Sequence, residues 1–431
     1  MDGKKIAIHT LNILAIMLYI ALFGVTVWPI TGLYGSSPDW WGGNSAIHAT
    51  KYAGFAAVAG AVALAIHLEI LRRRRKISRK STRLVQVVGL CCAVALSSAC
   101  LPYFIIPAQV GSAARAEFAK TWGVDWESRV HRPAQGPWMD SPYSLFQQYY
   151  SLPYSQDAFT FHQDIEFLHL GNDSFKCDVF LPAGTGPNPV MIFIHGGGWV
   201  GGDKNSIIAY QLQYFAAAGY TVFSVQYGAM QEANRTRQYS MPEILSNLGA
   251  FSDWLAQPGQ VIAYHLNLSC CFLNGLSAGG HLSALLGMAR TKLAAWNPAV
   301  HVVGAIDFYG ITDIRHWDVI NQQWLVTEGL FNNSILANYS IVDRYSPMTY
   351  AESPGLAGSD IVPLLIFHGD VDNVVSVTQS RDMNAMCDSR GLKCVYIEIP
   401  RATHVFEGES NAGPSQVTLW AMERFMQLCA E

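Results

Sequence analysis

From residue 274 the chain reads Asn274-Gly275-Leu276-Ser277-Ala278-Gly279-Gly280, which places a serine between an apolar strand predicted over Cys270–Asn274 and a helix predicted from Ala278. A serine on so sharp a turn stands above the sheet edge with strained backbone angles. Glycine two residues to either side removes the side chains that would collide there. The positive end of the following helix favours developing negative charge. The pattern therefore indicates that Ser277 is a nucleophile rather than part of an ordinary glycine-rich turn.

Short apolar runs alternate with helical segments on both sides of this turn, from about residue 159 to the end of the chain. Buried apolar strands that alternate with helices are typical of a mostly parallel sheet covered by helices on both faces. The candidate strands are Cys177–Leu181, Val190–His195, Thr221–Gln226, Cys270–Asn274, Val302–Phe308, Pro363–Phe367 and Val395–Ile399. The candidate helices are Ser206–Ala218, Pro242–Leu255, Ala278–Arg290, Ser376–Ser389 and Ser415–Cys429. We therefore predict an α/β domain over residues 159–431, in which the long aromatic stretch 313–350 forms a helical cap.

A second glycine-rich loop, His195-Gly196-Gly197-Gly198-Trp199, follows the predicted strand that starts at Val190. Consecutive glycines let backbone N–H groups face a substrate without obstruction, as an oxyanion hole requires. The glycine spacing also fits a dinucleotide-binding loop, but such a site needs an acidic residue at the end of the next strand. That strand ends in Ser224-Val225-Gln226-Tyr227, which contains no acid. The oxyanion interpretation is therefore the stronger one.

Two further side chains complete the arrangement that a serine nucleophile needs. A serine hydroxyl reacts only when a histidine takes its proton, and a buried carboxylate must orient that histidine. Asp372 follows the strand that ends at Phe367, and His404 lies in the loop beyond the last strand. The chain order serine, aspartate, histidine is the one this arrangement demands. Asp370 is the alternative carboxylate.

Together these motifs resemble those of the α/β-hydrolase superfamily, on the side of the hormone-sensitive-lipase-like carboxylesterases. Trp199 and the following Gly202-Asp203-Lys204 look like the feruloyl-esterase-like and prenylcysteine-methylesterase-like branch. The resemblance covers about residues 160–431. It implies an α/β-hydrolase fold, with a mostly parallel central sheet, helices on both faces and a helical cap.

The resemblance also implies a role for each motif residue. Ser277 would be the nucleophile, His404 the general base and acid, and Asp372, which the family pattern H-G-x-x-D selects over Asp370, the residue that orients it. The oxyanion hole would be formed by the N–H groups of Gly197, Gly198 and Ala278. The implied reaction is a two-step acyl transfer to water through an acyl-serine, with no metal and no cofactor.

The first part of the chain has a different composition from the rest. Only 14% of all residues are charged, against about 25% in an ordinary soluble domain. This argues against a wholly soluble protein, a disordered chain and a general nucleic-acid binder. Three stretches lack charged residues and have lengths suited to crossing a bilayer, namely Ile6–Val27, Tyr52–Leu68 and Leu84–Ile106. We therefore predict a membrane domain of three transmembrane helices over residues 1–107 and a connector over 108–158.

The basic residues predict the orientation of these spans. Eight Lys and Arg side chains lie between Arg72 and Arg83, which is the signature of a cytoplasmic loop. The N-terminus is then also cytoplasmic, and three uncleaved spans place the catalytic domain on the lumenal or extracytoplasmic side. This would be a secretory-pathway membrane in a eukaryote, or the periplasmic side of the inner membrane in a bacterium. Five glycosylation sequons fit the first alternative: they lie at Asn172, Asn234, Asn267, Asn332 and Asn338.

The sequence leaves several alternatives open. Cys387 and Cys394 either form a disulfide bridge or remain free buried thiols. The expected partners are an ester substrate, which we predict to be lipophilic, and the lipid bilayer. Nucleic acid is not an expected partner. Activity as a prenylcysteine methylesterase or a lipase is one alternative, and peptide cleavage or acyl transfer to another alcohol is a second. A non-catalytic receptor or scaffold on the same fold is a third, since a fold alone never determines function.

Overall fold

The computed structural model describes Glu69, Arg72, Arg73, Ile106 and most of residues 108–431. The gaps in the second range are 134, 145, 148–151, 153, 206–207, 231, 233–234, 318–328, 332–338, 357–359, 409 and 411. The chain divides into two compact units, Met1–Gln109 and Val110–Glu431. Except for Ile106, the predicted spans lie outside the described residues. Within the described residues, no helix combines the length and the apolar character needed to cross a membrane. The three spans therefore stay a prediction.

An eight-stranded sheet forms the centre of the second unit. Its strands are β1 (Phe159–Leu170), β2 (Asp173–Pro182), β3 (Asn188–Ile194), β4 (Thr221–Val225), β5 (Leu266–Leu276), β6 (Val302–Phe308), β7 (Leu364–Gly369) and β8 (Cys394–Ile399). They lie side by side in the order β1-β2-β4-β3-β5-β6-β7-β8. Only β1 with β2 and β2 with β4 pair antiparallel, and every other neighbouring pair is parallel. The predicted mostly parallel sheet is confirmed.

All seven predicted strands are present, whereas β1 has no counterpart among the predicted strands. Strands β4 and β7 are buried along their whole length, and their sequences are mostly apolar. Most side chains of β1 are instead exposed, because β1 is an edge strand. Its charged residues and two register irregularities obscure the apolar pattern that marks the other strands.

Helices cover the sheet and connect its parallel strands. They are α1 (108–122), α2 (Ala209–Ala217), α3 (Met241–Leu255), α4 (Pro258–Ala263), α5 (Ala278–Leu293), α6 (Tyr339–Arg344), α7 (Pro347–Glu352), α8 (Thr378–Arg390) and α9 (Gly413–Ala430). The five predicted helices correspond to α2, α3, α5, α8 and α9. Helix α3 begins where Ser240 and Glu243 form a capping box, which satisfies backbone N–H groups of the first turn.

The segment predicted as a connector, 108–158, is part of the compact domain. Phe118 of α1 stacks on Trp126, with ring centroids 4.8 Å apart. Both rings also lie edge-on to Trp420 of α9, at 6.0 and 6.1 Å. Phe118, Trp126 and Trp420 are buried. The connector predicted over 108–158 thus packs on the domain that follows it, because its aromatic residues are core residues whose partners lie about 300 positions later in the chain.

The region predicted as a cap contains three short helical segments in its described part. A 3-10 turn spans Ile314–His316, and α6 and α7 follow. Arg315 joins the two ends of this region, because its guanidinium lies 2.7 Å from Asp313 and 2.9 Å from Glu352. The remainder of the predicted cap, 318–328 and 332–338, lies outside the described residues.

Cys387 and Cys394 are both buried, and the structure holds them as free thiols. Of the two alternatives that the sequence leaves open, the described state is therefore the unbridged one. The hydrogen bond with Cys387 raises the pKa of the Cys394 thiol, and burial adds to this effect.

Candidate active site

Ser277 occupies the turn between β5 and α5, with φ 54° and ψ −117°. Positive φ is uncommon outside glycine and costs conformational energy, so the surrounding structure must hold it in place. The Ser277 N–H donates a 2.8 Å hydrogen bond to the carbonyl of Phe308 at the end of β6. The serine is partly accessible, whereas Ala278 after it is buried. This is the exposed, strained position that the sequence predicts.

The two glycines that flank Ser277 are required by close backbone contacts. A Cβ atom on Gly275 would lie 2.1 Å from the carbonyl oxygen of Gly279. A Cβ atom on Gly279 would lie 2.0 Å from the carbonyl oxygen of Ile194 in β3. Neither position can hold a larger residue without displacing the main chain. The glycine spacing therefore follows from the tight packing of the turn against the neighbouring strand.

His404 and Asp372 are in direct contact. Nδ1 of His404 lies 2.6 Å from Oδ2 of Asp372, and both side chains are buried. Since an ionised carboxylate can only accept, the imidazole proton is on Nδ1, which leaves Nε2 as the nitrogen that can take a proton. The other oxygen, Oδ1, accepts from the N–H groups of Val374 and Val375 at 2.8 and 3.0 Å. The carboxylate is thus fixed in a single orientation.

The environment of Asp372 favours its ionised form. Burial opposes ionisation, but the imidazoles of His368 and His404 and the Val375 N–H hold the pKa of the Asp372 carboxyl well below its ordinary value. Nε2 of His368 lies 3.4 Å from Asp372, and its shorter contact is to the Val375 carbonyl at 2.9 Å. Asp370, the alternative carboxylate, accepts instead from the N–H of Arg401. Of the two candidates, the structure brings Asp372 to His404.

Ser277 and His404 lie at the same edge of the sheet. Ser277 is bonded to Phe308, and the next residue, Tyr309, lies against His404 with ring centroids 4.3 Å apart. Strands β5, β6, β7 and β8 are consecutive neighbours, so the loops at their carboxyl ends meet at this edge. The three predicted residues therefore converge there from three different loops.

The loop after β3 approaches the same turn. Gly197 and Gly198 have φ values of 117° and 62°, which favour glycine. A Cβ atom on Gly196 would lie 3.4 Å from the Ser277 Cβ, so this loop passes directly beside the serine. Within the described part of the chain, the N–H groups of Gly197 and Gly198 donate to no backbone carbonyl. Gly197 and Gly198, two of the residues predicted for the oxyanion hole, therefore lie in the loop that passes beside the serine.

Trp199 and His281 connect this loop to helix α5, a link that the sequence analysis missed. Trp199 is fully buried, and its indole N–H donates to Nδ1 of His281 at 3.2 Å. Nε2 of His281 then donates to the Tyr345 carbonyl at 2.8 Å. Burial lowers the pKa of His281 to about 4, so the ring is neutral and can accept from Trp199. The bond fixes the glycine loop relative to the first turn of α5.

His195 belongs to a second buried network below the glycine loop. Its Nε2 lies 3.0 Å from Oε1 of Glu232, and Arg235 contacts the other oxygen of Glu232 at 2.6 Å. Burial opposes ionisation of Glu232, but His195 and Arg235 keep the pKa of this carboxyl below its ordinary value. His195 also stacks on Tyr227, with ring centroids 4.3 Å apart. No local sequence signal marks this network, because its members lie in two loops about 40 positions apart.

No cluster of three or more His, Cys, Asp or Glu side chains suited to a metal ion occurs among the described residues. The predicted chemistry uses a nucleophile, a base and backbone donors.

Asp307 lies near the end of β6, and its buried carboxyl should make the stability of the folded domain depend on pH. Burial raises the pKa of its carboxyl to about 7, although the Gly310 N–H favours the charged form. This pKa exceeds the value of about 3.9 in an unfolded chain. The contribution to stability is therefore complete below the unfolded value and is lost as pH rises through 7.

We expect the free energy of unfolding to decrease from about pH 4 to about pH 7, with Asp307 contributing at most about 1.4 kcal/mol per pH unit. The Asp307→Asn variant lacks this ionisation, so its stability should depend less steeply on pH. Denaturant unfolding of both proteins at a series of pH values measures the difference. Parallel curves for the two proteins would contradict the assignment.

The strand order, the strand-turn-helix that carries Ser277 and the loops at the carboxyl edge define an α/β-hydrolase fold. Residues 177–386 match the family model BD-FAE. Among solved structures, the chain is similar to a truncated carbohydrate esterase from gut microbiota, with 20% identity and a TM-score of 0.50. The match covers 64% of this chain and 99% of that structure. At this identity, the likeness shows the fold alone.

The chain is also similar to curated proteins that are named as esterases. The probable carboxylic ester hydrolase LipM of Mycobacterium tuberculosis is 24% identical over 250 residues, which cover 56% of this chain and 54% of LipM. Isoprenylcysteine alpha-carbonyl methylesterase ICME of Arabidopsis thaliana is 23% identical over 252 residues, which cover 53% of each chain. The chain thus spans about half the length of the curated relatives it matches. The predicted resemblance to α/β-hydrolase carboxylesterases is confirmed.

Proposed function

We propose that the domain is a serine carboxylesterase that hydrolyses a carboxylic ester through an acyl-serine intermediate. The observation that carries the proposal is the 2.6 Å contact between His404 and Asp372 at the sheet edge where Ser277 stands on its strained turn. A nucleophile, a base and a group that orients the base are the parts that this chemistry needs. The names of LipM and ICME support the same reaction class.

In the first half of the proposed reaction, Oγ of Ser277 attacks the ester carbonyl while Nε2 of His404 takes its proton. The carbonyl oxygen becomes an anion, which the N–H groups of Gly197, Gly198 and Ala278 stabilise. Asp372 holds the imidazole in the required tautomer and stabilises its positive charge. His404 then returns the proton to the leaving alcohol, and the acyl group remains on Ser277.

In the second half, water attacks the acyl-serine. His404 takes a proton from the water molecule as its oxygen bonds to the acyl carbon, and the same backbone donors stabilise the second oxyanion. The proton then passes to Oγ of Ser277 as the acyl bond breaks. The products are a carboxylic acid and the regenerated serine.

We further propose a lipophilic ester as the substrate. The support is the predicted membrane anchor, together with the aromatic side chains of the region predicted as a cap, of which Trp317 lies 5.9 Å from Trp199 between ring centroids. Turnover of a panel of methyl, short-chain, long-chain and prenylated esters tests this proposal. If a short soluble ester is hydrolysed at least as efficiently as every lipophilic ester, the substrate proposal is wrong.

The class of protein is tested by labelling the purified protein with a fluorophosphonate, which reacts with an activated serine. We expect one label per folded chain, attached at Ser277, and none on heat-denatured protein. A folded protein that takes up no label would favour the alternative of a non-catalytic receptor on a hydrolase fold. Product analysis with competing alcohols separates hydrolysis from acyl transfer, and a peptide substrate tests the remaining alternative.

We also propose that the N-terminus is cytoplasmic and that the domain lies on the lumenal or extracytoplasmic side. The support is the basic loop between Arg72 and Arg83, since each basic residue at a span centre would cost about 2.5–3.5 kcal/mol to insert. Asn172, the first sequon, is exposed in the turn between β1 and β2, where a glycan can be attached.

Protease protection in sealed microsomes measures this orientation. We expect a protected domain that carries glycosidase-sensitive glycans, with one glycan lost in the Asn172→Gln variant. A domain that is digested from the cytoplasmic side and has no glycan would overturn the proposed orientation. That result would favour a prenylcysteine methyl ester as substrate, since prenylated proteins would be expected to face the cytoplasm.

A further inference from the structure

Tyr309 and Glu407 form a buried pair beside His404 that the proposed reaction does not use. Tyr309 directly follows β6, and Glu407 lies three residues after His404. Both side chains are fully buried, and the Tyr309 hydroxyl donates a hydrogen bond to Oε1 of Glu407. We propose that this pair positions the His404 imidazole for proton transfer, with Glu407 holding the Tyr309 ring against which the imidazole lies. The inference rests on the function proposed above.

The first support is the contact between the two rings. Their centroids are 4.3 Å apart and their planes are inclined by 54°. Asp372 holds one nitrogen of the imidazole, and the Tyr309 ring limits rotation of the imidazole about that bond. Phe406 packs edge-on against Tyr309, with ring centroids 5.7 Å apart. Since proton transfer depends steeply on the geometry of the base, a small rotation of the imidazole would slow the reaction.

The second support is backbone strain on both sides of the imidazole. Tyr309 has φ 45°, and Val405, which follows His404, has φ 60°. Positive φ in a bulky or β-branched residue persists only where the surroundings enforce it, and such positions cluster at functional sites. The Tyr309 N–H donates a 2.7 Å hydrogen bond to the Phe367 carbonyl, which anchors its main chain to β7.

The third support is the environment of Glu407. Its main-chain carbonyl accepts from the Tyr210 hydroxyl at 2.8 Å, whereas its Oε2 has no hydrogen-bond partner within the described part of the chain. Burial raises the pKa of the Glu407 carboxyl to about 7, and the negative charge of Asp372 raises it further. The hydrogen bond from Tyr309 lowers the pKa and so opposes both effects. The titratable side chains that act on the Glu407 carboxyl are thus those of Tyr309 and Asp372, while the Tyr210 hydroxyl bonds its main chain. Above neutral pH, Glu407 would add a second negative charge near the imidazole.

The Tyr309→Phe variant removes the hydroxyl and leaves the ring. Without its bond to Glu407, the ring is held less firmly, and the imidazole samples more orientations. We expect kcat to fall by about tenfold while KM changes less than about twofold, because substrate binding is not involved. We also expect the acidic limb of the pH profile of kcat/KM, which reports the pKa of the base in the free enzyme, to shift.

Two Glu407 variants separate positioning from packing. Glu407→Leu fills the same space but cannot accept the bond, so it should match the loss in Tyr309→Phe, and combining both changes should add little. Glu407→Gln keeps an acceptor for Tyr309 and loses the ionisation, so it should recover most of kcat relative to Glu407→Leu. The matched control is Tyr210→Phe, which removes the hydroxyl that bonds the Glu407 main chain and leaves the Glu407 side chain in place, and it should leave kcat within about twofold of the original.

A readout in the resting protein makes the test independent of catalysis. The proton between His404 and Asp372 should give a far-downfield NMR resonance, which Ser277→Ala retains and Tyr309→Phe shifts or broadens. If Tyr309→Phe leaves this resonance, the pH profile and kcat unchanged, or lowers only thermal stability, the positioning role is wrong. If the original protein hydrolyses no ester while the resonance still responds to Tyr309→Phe, the proposed function fails and the positioning of the imidazole stands.

Discussion

Replacing Ser277 by alanine is expected to lower kcat/KM for ester hydrolysis by about 10⁴-fold or more and to abolish fluorophosphonate labelling. The physical reason is that no other group at this turn can form the acyl intermediate. Alanine removes a single oxygen atom and keeps the Cβ atom, so the fold should persist. Steady-state kinetics and the circular dichroism spectrum of the purified variant measure both expectations.

Ser283 provides a matched control for this experiment. It lies on the same helix, α5, but it is fully buried, and its hydroxyl has no partner among the described residues. Ser283→Ala should therefore keep both labelling and activity within about twofold. Near-original activity in Ser277→Ala would exclude this serine as the nucleophile, whatever the control shows.

The second large effect is expected for Asp372→Asn, with a loss of about 10³–10⁴-fold in kcat. Asparagine fits the same space, and its oxygen can still accept from Val374 and Val375. Its amide group, however, would donate to Nδ1 of His404 and leave the imidazole proton on Nε2, where it blocks the base. Kinetics at several pH values test this, because the loss should persist across the range in which the imidazole is neutral.

Asp370→Asn is the comparison that distinguishes the two carboxylates. The Asp370 side chain accepts the main-chain N–H of Arg401, and an amide oxygen can replace the carboxylate oxygen there. We therefore expect Asp370→Asn to change kcat less than about threefold. If Asp370→Asn is the more damaging change, the orienting role belongs to Asp370.

The sequence predicted those parts of the site that depend on local backbone geometry. The turn at Ser277 and the glycine loop at Gly197 have short-range signatures, because the chain cannot adopt these conformations with larger residues. The seven predicted strands were equally predictable, since each contains a mostly apolar, buried segment. These features are determined within about ten residues.

The features that the sequence did not predict depend on contacts between distant segments. Tyr309 and Glu407 are separated by 98 positions, and neither lies in a motif of the kind that marks Ser277. The core role of Phe118 becomes visible only when Trp420 is placed beside it. The polar edge strand β1 was missed for a related reason, since its identity follows from pairing with β2 rather than from its own hydrophobicity.

Helix α1 has a practical consequence for producing the domain as a separate protein. Trimming the chain to residue 159, where the α/β pattern begins, would remove Phe118 and Trp126 and uncover the Trp420 side of α9. It would also remove Thr121, whose hydroxyl bonds the Cys394 carbonyl of β8, the last strand of the sheet. Newly exposed aromatic surface beside a sheet edge promotes self-association. Recombinant expression should therefore start at Val110, where the compact unit begins, to obtain a soluble and monodisperse sample.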